Sequence, residues 1–261
     1  LPFEYVTAWR ARAPWTTDRQ VEQDLIMSRL MVEIANDAVL GGELAMRGGT
    51  CFHKVFLPEP LRYSEDLDYV RVTPGPIKPI IEQLEAVSEG LGLIRHSYEN
   101  SARMVQLYVQ TPVVEGERPI RIKIETNVRE TASCFERVTV PYRIESRWFT
   151  GQGELLTFRP EEVLATKLRA LYQRRKGRDL LDLWCGLSLP QIDDDAILEA
   201  HRHYMGNDLV KGPLLEANLA AKLQRRDYDA DIRALVTELP EGFTLASAAA
   251  LLKTRLFDRL T

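Results

Sequence analysis

At 261 residues, with 45% hydrophobic and 28% charged side chains, the chain can bury one large core or two modest ones, and its composition excludes a disordered protein. A formal net charge of −4 excludes a generally basic nucleic-acid coat, so any RNA contact has to come from a local patch. No apolar run approaches the roughly 20 residues that span a bilayer, and the first residues lack the basic-then-apolar order of a secretion signal.

Three widely spaced cysteines, Cys51, Cys134 and Cys185, show no paired metal spacing and fit free thiols in a reducing cytoplasm. The first residue is Leu rather than Met, which leaves room for residues before it. Residues 1–14 carry aromatic and arginine side chains without a period and are expected to form a docking arm. Thr17 with Gln20 is a capping-box pattern, and Val21, Leu25, Leu30, Val32, Ile34, Ala35, Ala38 and Val39 carry an apolar helical face to Gly41-Gly42.

Leu44, Ala45 and Met46 form a short apolar run that stops at Gly48-Gly49, where the missing Cβ atoms let the backbone bend and approach a ligand closely. A helix opening at Thr50 and running through Phe56 would leave free N–H groups and the Thr50 hydroxyl facing an anion such as a triphosphate. Lys54, one turn on, would add a cation. Residues 63–70 alternate as a strand does, which puts Ser64, Asp66 and Asp68 on one face and Leu67 and Tyr69 on the other. Two carboxylates side by side repel unless a cation neutralises them, and Mg²⁺ with its preference for oxygen ligands is the simplest neutraliser. That arrangement suits two-metal phosphoryl chemistry. Either motif alone is more often an ordinary turn or a solvated strand face; their order and proximity favour a nucleotide site.

Pro74-Gly75-Pro76 breaks the chain, and Ile77, Ile80, Ile81, Leu84 and Val87 recur at helical spacing up to Gly90 and Gly92. Strands are expected over 93–98, 103–110 and 119–126 as a meander, with Glu115-Gly116-Glu117 at one turn. In the third, Ile120, Ile122 and Ile124 alternate with Arg121, Lys123 and Glu125, so one face is apolar and the other charged. A further strand over 138–144 precedes Trp148, Phe149 and Gly151-Gln152-Gly153, read as punctuation, so the domain boundary is placed between 1–154 and 155–261. Arg159-Pro160-Glu161-Glu162 starts a helix whose buried stripe is Val163, Leu164, Leu168 and Leu171, with Lys167 on its margin. Lys167 there is either a snorkelling surface residue or a functional one. Gln173-Arg174-Arg175-Lys176-Gly177-Arg178 is a basic connector into a helix that carries Asp179 and Asp182 three apart. Those carboxylates could simply pair with Arg175 and Arg178. Helices are expected over 196–204, 214–226, 232–239 and 245–256, and the spacing of His201 and His203 suits a surface pair rather than metal ligands.

Gly48-Gly49-Thr50 with Lys54, followed by Ser64-Glu65-Asp66-Leu67-Asp68-Tyr69, resembles the GGTxLxK and SEDLDF signatures of the AbiEii/AbiGii toxin family, a branch of the polymerase-β-like nucleotidyltransferases. The region from Glu161 to Leu183 resembles the family's second signature, an AxKLxAL helix that leads into RDLxDL. The resemblance implies an α+β fold, a nucleotidyltransferase-type mixed sheet with flanking helices followed by a C-terminal helical domain. It implies a Mg²⁺-dependent enzyme that transfers a nucleotide from a nucleoside triphosphate, with Asp66 and Asp68 holding metal. Glu125 would be the third carboxylate, helping to activate the acceptor hydroxyl. Lys167 and Asp182, with Asp179 beside it, would complete the site from the helical domain. Gly48, Gly49, Thr50, Lys54 and Ser64 would bind the nucleotide. Some members of this kind modify the 3′ end of tRNA and serve as toxins of toxin–antitoxin or phage-defence systems, which implies tRNA and a cognate antitoxin as partners. Arg174, Arg175, Lys176 and Arg178 are then the local candidates for RNA phosphate contacts. Two alternatives stay open at this point: an acceptor hydroxyl on a protein or an aminoglycoside-like small molecule, and a non-enzymatic nucleotide-binding module.

Overall fold

The structure, a computed structural model, describes residues 1–113, 116 and 118–261. Glu115 and Glu117 of the expected turn lie outside the described residues. The chain divides into two compact units, Leu1–Ser133 with Arg137–Phe158, and Cys134–Glu136 with Arg159–Thr261.

The first unit begins with α1 (Phe3–Trp9), a helix where an arm was expected, because Val6 and Trp9 are buried on one of its faces. The capping box at Thr17 forms as predicted: the Gln20 N–H donates to Thr17 Oγ1, and the Thr17 N–H donates to Gln20 Oε1 at 3.0 Å. That start gives α2 (Asp18–Asn36), which stops before the glycine pair. Asp37 ends it by accepting the Val39 and Leu40 N–H groups on its carboxylate, and the short α3 (Leu40–Glu43) opens there instead. Gly41 serves close approach rather than termination, since a Cβ there would sit 2.4 Å from the Ala35 carbonyl oxygen.

Seven strands follow: β1 (Leu44–Arg47), β2 (Asp66–Arg71), β3 (Ile94–Asn100), β4 (Met104–Gln110), β5 (Arg121–Asn127), β6 (Val138–Glu145) and β7 (Thr150–Thr157). They form one mixed sheet in the order β3-β4-β5-β2-β1-β7-β6, with β2–β5 and β1–β7 parallel and the other neighbours antiparallel. Between β1 and β2 lies α4 (Gly48–Cys51), continued by a π turn over Phe52–Phe56; between β2 and β3 lies α5 (Lys78–Gly90). Strand β7 differs from expectation, because Gly151 and Gly153 lie within it rather than between elements. A Cβ on Gly153 would meet the Ala35 Cβ of α2 at 3.2 Å, so the glycine lets a helix lie close to the strand.

Helices α2 and α5 cover one face of the sheet, where Leu67, Tyr69, Val105, Leu107, Val109, Ile122 and Ile124 join Met27, Leu30, Ile34, Ile80 and Leu84 in one buried cluster. Because strand side chains alternate, the intervening residues of β2, β5 and β4 point to the opposite face. Those are Asp66 and Asp68, Lys123 and Glu125, and Gln106.

The second unit is helical: α6 (Pro160–Gln173), α7 (Arg178–Leu187), α8 (Asp194–Met205), α9 (Gly212–Leu223), α10 (Arg226–Arg233) and α11 (Leu245–Arg255). Proline and two acids in its first turn start α6 as expected. Helix α9 stops short of Arg226, and α10 begins there rather than at Ile232. Arg225 is extended, and Asp227 and Asp229 fall in the first turn of α10, where the helix dipole favours them. His201 is not a surface residue: it is fully buried beneath α6, and burial pushes its imidazole down to about 4. Among the described residues no helix is long and apolar enough to cross a membrane.

Candidate active site

The parallel β2–β5 ladder sets the site's register, with Asp66 opposite Lys123 and Asp68 opposite Glu125. Lys123 Nζ lies 2.9 Å from Asp66 Oδ2 and 3.2 Å from Glu125 Oε2, so one ammonium bridges two carboxylates. Burial pulls the Lys123 ammonium toward neutrality, but hydrogen bonds and charge from Asp66 and then Glu125 outweigh it and hold its pKa above the usual lysine range. Next along the face, Gln106 Nε2 donates to Glu125 Oε2 at 2.8 Å, and Tyr108 donates to Gln106. Helix α2 braces both strands from the covered side, where Gln23 Nε2 donates to the carbonyls of Glu65 and Arg121.

The glycine turn stands over the start of β2. Gly48 has φ +82°, a conformation that disfavours any side chain, and a Cβ there would lie 2.0 Å from Asp68 Oδ2. A Cβ on Gly49 would lie 2.2 Å from the Arg62 guanidinium and 3.2 Å from Ser64 Oγ. The two glycines therefore admit a carboxylate, a guanidinium and a hydroxyl right up to the backbone. Arg62, buried to 3% exposure and donating to the Tyr63 carbonyl, is a member that sequence reading missed. Its position after Pro58-Glu59-Pro60 gave no period to read, although it stands two residues before Ser64.

Two nucleotide-binding expectations change at this turn. The helix begins at Gly48, not Thr50, and Thr50 is buried with its hydroxyl 2.9 Å from Ser64 Oγ and 2.6 Å from the Asp66 carbonyl oxygen. Thr50 thus ties the turn to β2. Lys54 does not face the turn: its ammonium lies 2.8 Å from Asp24 Oδ1 and 3.0 Å from Ser28 Oγ. Asp24 also accepts the indole N–H groups of Trp9 at 2.8 Å and Trp15 at 3.0 Å, so Lys54 neutralises a buried carboxylate that anchors the N-terminal segment. Burial lowers the Lys54 ammonium's pKa, and Asp24 more than restores it.

The second unit has its own buried charge cluster on the α6–α7 hairpin. Lys167 Nζ lies 2.8 Å from Asp182 Oδ2 and 3.7 Å from Asp179 Oδ1, with both carboxylate side chains at 0% exposure. Lys167 is therefore no snorkelling surface residue. Arg174 grips Asp179 with two bonds, at 2.6 and 2.7 Å, which commits a guanidinium expected to meet RNA. Lys176 lies 3.6 Å from Asp231, whereas Arg175 and Arg178 have no carboxylate within ion-pair distance among the described residues. Lys222 donates to the Leu171 and Tyr172 carbonyls at the end of α6, and burial pushes its ammonium down to about 8.

The model of the nucleotidyl transferase AbiEii toxin family, a type IV toxin–antitoxin system, matches residues 29–254. The chain belongs to this family. As an AbiEii member it is a nucleotidyltransferase toxin, and both sequence signatures lie inside the matched span. Solved structures agree in fold. The nucleotidyltransferase toxin MenT4, Rv2826c, from Mycobacterium tuberculosis H37Rv superposes with a TM-score of 0.71 at 19% identity, over 100% of this chain and 91% of that one. A putative nucleotidyltransferase from H. pylori gives 0.56 at 17% identity, over 92% of this chain and 93% of that one. JHP933 from Helicobacter pylori gives 0.54 at 15% identity, over 92% and 90%. No curated protein matches.

Nucleotidyltransferases of this kind use a nucleoside triphosphate and a divalent metal, and the AbiEii chain's donor set fits one. Asp66 and Asp68 offer hard oxygen ligands on one strand face, with Glu125 in register beside them. Among the described residues no three acidic, histidine or cysteine side chains converge on a single point, and Lys123 supplies the neutralising charge between Asp66 and Glu125.

Proposed function

We propose that this AbiEii toxin transfers a nucleoside monophosphate from a nucleoside triphosphate to the 3′ end of an RNA, with transfer RNA as the acceptor, and releases pyrophosphate. The observation that carries the reading is the β2–β5 register, which gathers Asp66, Asp68, Glu125 and Lys123 on one sheet face beside the Gly48-Gly49 turn. Gly48 and Gly49 let the Asp68 carboxylate, the Arg62 guanidinium and the Ser64 hydroxyl close right up to the turn, and the Arg62 guanidinium is the cation placed there to meet a phosphate. Asp66 and Asp68 would hold Mg²⁺, which when bound neutralises triphosphate charge. Glu125 takes the proton of the acceptor hydroxyl, whose oxygen forms the new bond to the α-phosphorus. The bond from that phosphorus to the bridging oxygen breaks, and pyrophosphate leaves with the electron pair. Gln106 holds the Glu125 carboxylate in place for this transfer, and Lys123 keeps positive charge beside it. Such a modification would stop translation, in keeping with a cytoplasmic toxin in phage defence.

The test incubates the protein with Mg²⁺, total tRNA and each labelled ribonucleoside triphosphate in turn, then separates RNA, protein and small molecules. Label in RNA with one nucleotide supports the proposal and names the donor. Label on protein or on an added aminoglycoside, with RNA unlabelled, overturns the RNA acceptor.

A further inference from the structure

Two stretches distant in sequence, the α6–α7 connector at 174–177 and the α9–α10 corner at 222–226, are joined within the second unit. Lys176 approaches Asp231 at 3.6 Å, and the Arg178 N–H donates to the same carboxylate at 3.2 Å. Gly177 lies so close to α10 that a Cβ there would stand 2.1 Å from the Tyr228 carbonyl oxygen. The charge of Arg175 acts on both Lys222 and Asp227. The basic connector therefore continues onto α10. Beyond it opens a groove of about 680 Å³ whose lining includes Arg225, Arg226, Arg233 and Thr244.

The acids of α10 offset Lys176, Arg225 and Arg233 and leave Arg175 and Arg226. Arg225 holds Asp227 through two bonds, at 2.9 and 2.8 Å, and Arg233 holds Asp229 at 2.5 Å. Arg175 and Arg226 are exposed, and neither has a carboxylate within ion-pair distance among the described residues. Their cost of solvation is already met by water, and a phosphate can pair with either without displacing a partner. The chain as a whole carries −4, so a polyanion is repelled on average and attracted only where unpaired cations gather.

We propose that this surface is a phosphate track for RNA, which runs from Arg175 across α10 to Arg226 at the groove. It rests on the reading that the acceptor is RNA. Separated cations on a connector and on a helix suit a backbone of repeating phosphates better than one small anion. Arg226 is the new member: in the sequence it reads as the end of a helix, and in the fold it opens α10 and lines the groove.

The test measures binding of fluorescein-labelled total tRNA by anisotropy across a salt series for the parent, Arg226→Glu, Arg226→Gln, Arg226→Lys and Arg175→Glu/Arg226→Glu. Arg226 breaks no ion pair when replaced, so thermal midpoints should match the parent, and Arg226→Gln removes the charge without adding a carboxylate. The slope of log affinity against log salt should fall by about 1 for each arginine removed, with Arg226→Lys near the parent and nucleoside triphosphate binding unchanged in all. Parent-like slopes for Arg226→Glu and Arg226→Gln would overturn the track while leaving RNA as acceptor. A parent protein that binds no tRNA at low salt would overturn both.

Discussion

Replacing Lys167 by Met should unfold the second unit at a markedly lower temperature. The side chain keeps its length, so packing changes little, but Asp182 loses an ammonium at 2.8 Å while its carboxylate stays at 0% exposure. Asp179, also fully buried, keeps only its arginine clamp from Arg174 and the influence of more distant cations. Removing one partner of a buried pair takes the nearest opposite charge from the other, at a cost of about 3–5 kcal/mol. At roughly 4 °C per kcal/mol for a domain of this size, the midpoint should fall by roughly 12–20 °C. The assay is thermal unfolding by circular dichroism, with Lys167→Met/Asp182→Asn alongside. If the loss comes from stranded charge, the double variant should recover at least about 1 kcal/mol of it. A single variant within about 0.5 kcal/mol of the parent would refute the reasoning, because that is the range of an ordinary surface substitution. It also means that lost transfer in a Lys167 variant counts as a catalytic effect only when its folding has been measured.

Three further perturbations follow from the geometry. Gly48→Ala should cost more than about 1 kcal/mol from the left-handed backbone alone and should abolish transfer, since its Cβ would displace the Asp68 carboxylate 2.0 Å away; full activity would contradict the turn's assignment. Lys123→Met should bind Mg²⁺ about tenfold more tightly in the absence of nucleotide, measured by titration calorimetry, because a competing charge about 3 Å from both Asp66 and Glu125 is gone; equal or weaker binding would contradict it. His201 stays neutral in the fold down to about 4, against an ordinary value of 6.5, so the unfolded chain takes its proton first. Stability present at neutral pH is thus lost as pH falls from about 6.5 to about 4, by up to about 3 kcal/mol. His201→Leu should show a smaller acid loss in urea unfolding; a loss equal to the parent's would place the titrating group elsewhere.

The legible parts of this chain were those whose physics is local. The capping box at Thr17, the proline start of α6 and the alternation of β2 and β5 each rest on residues a few positions apart, and each formed close to where the pattern placed it, with β2 opening at Asp66 rather than Tyr63. Alternation put Glu125 on the charged face of its own strand and the family resemblance set it with Asp66 and Asp68, while only pairing could show that Asp68 and Glu125 stand opposite each other. What was not legible depends on partners far along the chain. Lys54 read as a phosphate ligand because its neighbours are glycines, yet Asp24, thirty positions earlier, holds it. His201 read as surface because its spacing from His203 suits no metal site, and contact with α6 buries it. Strand β7 was hidden because its glycines signal turns in isolation and close packing in place. Arg62 belonged to neither signature, and only the space above Gly49 reveals it.

The central claim is that the face shared by Asp66, Asp68 and Glu125 performs nucleotide transfer. The most direct measurement follows pyrophosphate release from each nucleoside triphosphate with Mg²⁺ and total tRNA, for the parent and for Asp66→Asn and Asp68→Asn proteins confirmed to be folded. The account predicts release by the parent with at least one nucleotide, and a loss of at least about a hundredfold in both variants. Release at parental rates by either folded variant would contradict it.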